Sequence, residues 1–170
     1  MRDDRRFIEW FGGLALSVWI GGLATIIVVA MSVFHELATN RGRAGAVVSA
    51  ILANFRRVEL VCAAAVFFGA FFLLSRPATR RDVARLVLAA LMAGIFASYA
   101  LWVAPKLLTL RTQIADFDLP ADRDPSSARQ AFQSLHQLYS GLSTANLVIG
   151  VVLWSIWRRP SPAPEPPKTP

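Results

Sequence analysis

The chain has 170 residues, 55% hydrophobic and 17% charged, with a net charge of +7. So few charges cannot coat a soluble globule of this size, and the apolar stretches leave no room for a separate soluble domain. The basic residues stand in short groups at the ends of those stretches, which suits lipid headgroups and argues against nucleic acid as a partner.

Four stretches carry the apolar content: Trp10 to Phe34, Val58 to Leu74, Leu86 to Ala104 and Leu138 to Trp157. Each is near the roughly 20 residues that cross a bilayer as helix, the second being short. The expected fold is an all-α integral membrane protein: a four-transmembrane-helix bundle with an interfacial segment or helix-two extension between the first two spans. Residues 1–9 form a basic N-terminus, 10–157 the transmembrane domain, and 158–170 a proline-rich disordered tail.

The first span is too long and too glycine-broken for a signal peptide and is expected to stay as helix one. Gly13, Ser17, Gly21 and Thr25 recur every fourth residue on it, so they share a face where a neighbouring helix, or a second copy of the chain, can approach closely. Trp10 is placed as an interfacial anchor; Trp19 is not. His35 and Glu36 close the span, and Asn40 to Arg43 make the turn.

Ala44 to Phe55 is apolar again but too short to cross. It is expected at the membrane surface or as an extension of helix two, with Arg56 and Arg57 at headgroup level and Glu59 paired to one of them. Cys62, the only cysteine, excludes an intrachain disulfide and a cysteine-based metal cluster. Helix three is expected from about Arg85 to Pro105, where proline ends the apolar run, with Gly94 and Ser98 repeating the small-residue spacing and Lys106 following at the interface.

Leu107 to Ser127 reads as the longest aqueous connection: Asp116, Asp118, Asp122 and Asp124 among Pro120 and Pro125 predict a solvated loop without the glycine and glutamate of a calcium loop. Ser126 or Ser127 can cap the last helix. That helix carries His136, Tyr139, Ser140, Ser143 and Asn146 on the face ending in Gly150. Polar groups in hydrocarbon need a partner, so the stripe is the candidate site; Asn146 can clamp a neighbouring helix, for instance through Ser98.

His35, Glu59 and His136 fall at one membrane level and are the candidates for a metal, a proton relay or haem contact. Ordinary pairing within the protein is the competing role, and no cofactor is expected. No phosphate-binding loop, nucleophile with its base, or paired acids appear, so the chain is not expected to be an enzyme. Nine basic residues near the spans (Arg2, Arg5, Arg6, Arg76, Arg80, Arg81, Arg85, Arg158, Arg159) face six on the other side (Arg41, Arg43, Arg56, Arg57, Lys106, Arg111), which places both termini in the cytoplasm.

Trp19, Gly21 and Gly22 in the first span, Pro105 after the third, and Phe132, His136, Tyr139 and Asn146 into the fourth give the chain a family likeness over residues 7 to 157. It resembles the bacterial relatives of eukaryotic transmembrane protein 205, an uncharacterised four-span membrane family of the domain-of-unknown-function 4149 type. The resemblance implies four membrane helices with His136 and Asn146 at the family's polar positions, and no assured activity. The expected role is a binding, transport-accessory or packing module of the bacterial inner membrane. An ion or small-solute transporter, metals included, acting as an oligomer is the first alternative, and a metal- or haem-binding redox protein the second.

Overall fold

A computed structural model describes residues 2–74, 78–114, 117–118 and 127–158. The described residues are helical apart from short turns and linkers: α1 Arg2–Glu36, α2 Arg41–Phe72, α3 Arg80–Ser98, a π-helical turn Tyr99–Val103, α4 Ala104–Gln113 and α5 Ser127–Trp157. The Ser126 cap, Asp116, Asp122, Asp124 and the tail from residue 159 lie outside the described residues.

Three rods are long and apolar enough to cross a membrane: Asp4–Glu36, Arg80–Gln113 and Ser127–Trp157. They mark the chain as a membrane protein. The basic start is not a separate tail but the first turns of α1. The apolar segment 44–55 and the short second stretch turn out to be one 32-residue helix, so the helix-two extension is the form the structure takes. Arg56 and Arg57 stand near the middle of α2, and no 18-residue stretch of it avoids them. Asn40 opens α2 by accepting from the Arg43 amide at 2.9 Å.

Helix α3 starts five residues earlier than expected because Thr79 and Asp82 form a reciprocal capping box. Pro105 does not stop the rod. It lies in the first turn of α4, just past the π turn, where the Ala104 amide reaches back to the Tyr99 carbonyl. Proline lacks a donor and crowds the carbonyl four residues back, and the wider turn absorbs both defects without breaking the helix. The aqueous connection accordingly begins near Ile114 rather than Leu107.

Helix α1 packs on α2 and α5, α2 on α3, and both α3 and α4 on α5. Leu16, Trp19 and Leu23 of α1, Val66 of α2, Met92 of α3 and Leu153 of α5 meet in one apolar core. At one end Arg81 Nη2 donates to the Ile156 carbonyl at 2.7 Å and Arg85 Nη2 to the Trp157 carbonyl at 3.0 Å. Two cations thus satisfy the orphan carbonyls and negative dipole end of α5. Arg85, expected among headgroups, is buried over the Trp157 ring, whose Nε1 donates to the Glu9 carbonyl at 2.9 Å.

The close helix approaches fall one residue away from the expected stripe. A Cβ at Gly12 would collide with the Trp157 ring, and one at Gly22 with the Phe55 ring. Gly13 and Ser17 do touch α5, Ser17 Oγ accepting from Trp154 Nε1 at 3.1 Å. Gly21, however, has no neighbour within 4 Å and Thr25 is exposed, as is Gly94 on α3. Ser17, Thr25 and Ser98 each donate to a carbonyl one turn back, which satisfies the hydroxyl within its own helix. Gly150 does hold a tight crossing, with Ile20 and Met92 about 3 Å from where a Cβ would stand.

Candidate functional site

Inside the bundle three helices converge on one carboxylate. Glu59 of α2 is buried, and its Oε1 accepts from Trp19 Nε1 of α1 at 3.0 Å and from the Tyr99 hydroxyl of the π turn. A bare carboxylate in hydrocarbon would be costly; two donors in a closed core offset that cost. The direct partners of Glu59 are thus Trp19 and Tyr99 rather than the expected Arg56 or Arg57, because position 59 turns inward; half-buried Arg56 acts on the carboxylate only through its charge, and Arg57 is exposed.

The polar stripe of α5 splits. Tyr139, Asn146 and Gly150 are buried; Ser143 is half-buried; His136 and Ser140 are exposed. The Tyr139 ring meets the Tyr99 ring edge-on at 5.1 Å. Asn146 is fully buried beside the Tyr99 hydroxyl, yet neither amide atom makes a hydrogen bond of good geometry to a described residue. Ser98, its expected clasp, bonds to the Gly94 carbonyl instead.

Tyr139 joins this cluster to a partly open cavity of about 290 Å³ between α2, α4 and α5, with Phe34 of α1 at its edge, at the other end of the molecule from Arg81 and Arg85. Four arginines reach its lining: Arg41 and Arg56 from α2, Arg111 from α4 and Arg129 from α5. Arg111 is built into the wall, donating to the Gly42 and Gly45 carbonyls at 3.0 and 2.8 Å and to Ser49 Oγ at 2.8 Å, with Phe117 beneath its guanidinium. It ties α4 to the first turns of α2 and so fixes the cavity's shape. Phe132 and His136 stack in parallel on the α5 side. Leu52, Leu107 and Leu108 make the remaining wall apolar, and among the described residues no carboxylate lines it.

Of the residues singled out in the sequence, Glu59 centres the buried cluster, Tyr139 joins that cluster to the cavity, His136 lines the cavity, and Asn146 flanks the buried cluster. His35 and Lys106 are exposed and line neither cavity wall nor cluster. Among the described residues no three His, Cys, Asp or Glu side chains gather as a metal site would need.

Trp19, Tyr99 and Arg129 were missed. A signal existed for the first two: an indole and a phenol far from the interface must donate somewhere, and Glu59 was the acid in a neighbouring stretch. Arg129 sits beyond the apolar stretches, and its approach to α2 depends on tertiary packing.

A family model described as Domain of unknown function (DUF4149) matches residues 14–116, more than half of the chain. The chain belongs to the DUF4149 family. The matched segment of this DUF4149 protein holds Trp19, Glu59, Tyr99 and three of the four cavity arginines, whereas α5 lies beyond it. No curated protein and no solved structure matches the chain.

Proposed function

We propose that this DUF4149 protein is a four-span protein of the bacterial inner membrane that binds a ligand in the arginine-lined cavity. Both termini lie in the cytoplasm, so the cavity faces the opposite side. The observation that carries the reading is the convergence of four arginines from three helices on a space whose other walls are apolar. That is the lining of a binding site: apolar surface for contact and a few placed charges for orientation.

The lengths of the helices support the placement. A hydrocarbon core of about 30 Å takes about 20 helical residues. Counted from the Arg81 and Arg85 end, 20 residues bring α2 up to about Phe55, α3 to about Ala104 and α5 to about Leu138. The cavity then sits at headgroup level, formed by the helix portions that project past the lipid. Four crossings would make α2 the fourth span, its Arg56 and Arg57 at the interface and Glu59 inward. Kinship with eukaryotic transmembrane protein 205 belongs to the same reading, as does a homo-oligomer along the outward face of α1. The reading assigns the chain no catalytic step and no resident cofactor.

Gln133 is exposed on α5 and lines the cavity, so Gln133→Trp fills it without disturbing the core. Protein purified in mild detergent is expected to retain a small molecule by native mass spectrometry, and Gln133→Trp to lose it. Equal retention by the two proteins would refute the reading.

A further inference from the structure

We infer that the ligand is an anionic phospholipid, its phosphate held by Arg56, its headgroup in the cavity, and one acyl chain lying in the groove between α2 and α3. This inference rests on the binding reading above and names the ligand class. Arg56 is the hinge of the argument because it lines two spaces at once. Above it is the cavity; below it runs an open groove walled by Leu60, Ala64 and Phe67 of α2, Ala97 of α3 and Leu101 of the π turn.

Charge and length both match that occupant. Arginines outnumber the carboxylates beside the two spaces: Asp118 accepts from the Arg41 amide at the rim and Glu59 lies one turn below Arg56, so the charge balance along the lining still favours an anion. From Arg56 to Phe67 the helix rises about 16 Å, close to the roughly 15 Å hydrocarbon depth of one leaflet. A chain leaving a phosphate at Arg56 therefore runs the length of the groove in the direction lipid tails take. A soluble phosphate would satisfy the arginines and leave the groove unfilled, which is why the lipid is the better occupant. Planar guanidinium groups pair with phosphate through two parallel hydrogen bonds, and Arg56, half-buried at the junction, is desolvated enough for that pairing to count.

The probe is phosphatidylglycerol against phosphatidylcholine, added to delipidated protein and followed by native mass spectrometry. One phosphatidylglycerol per chain is expected to survive collisional activation that strips phosphatidylcholine. Arg56→Gln is expected to lower phosphatidylglycerol retention about tenfold, as loss of a charged hydrogen-bond pair implies, and Arg56→Lys to restore part of it. Ala97→Trp, which fills the groove, is expected to weaken the lipid as well. Equal retention of both lipids, full retention in Arg56→Gln at unchanged melting temperature, or displacement by glycerol phosphate alone would overturn the inference. If Gln133→Trp expels some other retained molecule while phospholipid retention is indifferent to charge, the binding reading stands and the lipid assignment falls.

Discussion

Glu59 takes two hydrogen bonds at a single oxygen, and each donor comes from a different helix. The carboxylate is therefore a three-way clasp of α1, α2 and the π turn, and its value can be separated from its charge. Glu59→Gln keeps a carbonyl oxygen that can accept from both Trp19 and Tyr99. Glu59→Leu removes the acceptor and strands an indole N–H and a phenol in a buried space, about 1–3 kcal/mol for each. Unfolding titrations in mixed micelles should find the Leu variant less stable than the Gln variant by about 2 kcal/mol or more. Equal stabilities would mean that the clasp holds little. The acid was legible in the sequence as a residue needing a partner, but the partner was read from proximity along the chain. Arg56 and Arg57 are three and two residues away, whereas Trp19 and Tyr99 are each 40 residues distant. Only the wheel position of Glu59, facing the core rather than the flank, decides between them.

At the scale of helices, the small-residue row on α1 meets α5 only in its first half: Gly13 and Ser17 touch it, whereas Gly21 and Thr25 face away. The sequence offers two interleaved rows on α1, one through Gly12 and Gly22 and another through Gly13, Ser17, Gly21 and Thr25. The second row has the cleaner four-residue repeat, but the core follows Gly12, Leu16, Trp19 and Leu23 because those positions share the face that buries the large side chains. Regular spacing of small residues does not by itself say which face is inward. Gly12→Ala should therefore destabilise by about 1–3 kcal/mol, since the Trp157 ring it meets is pinned by the Glu9 carbonyl and stacked under Arg85. Gly21→Ala should change monomer stability by less than about 0.5 kcal/mol, being an outward helix position. Both are read as midpoints of the same unfolding titration. Loss of an oligomer on Gly21→Ala, with the monomer unharmed, would instead assign the outer row to contacts between copies. The π turn belongs to the same scale: Pro105 signalled an end to the rod, and only the extra residue accommodated before it keeps the rod whole and turns Tyr99 inward.

For the molecule as a whole, hydropathy made the helical membrane class legible, because lipid admits few other ways to satisfy the backbone. Hydropathy also split α2 in two, since Arg56, Arg57 and Glu59 interrupt an otherwise apolar run of helix. The cavity was beyond reach for a related reason: its arginines come from residues 41 to 129 and share one space only once α2, α4 and α5 come together at one end of the bundle. The orientation proposed from the arginine asymmetry makes a testable statement about the side on which that end of the bundle lies. With both termini inside, Gln130 at the cavity end is outside and Ala78, before the cap of α3, is inside; both are exposed. In a Cys62→Ala background, Gln130→Cys should react with a membrane-impermeant maleimide on intact spheroplasts. Ala78→Cys should react only after permeabilisation. The reverse pattern would place the cavity in the cytoplasm, and reaction of both sites from outside would mean that the number of crossings between them is even rather than odd.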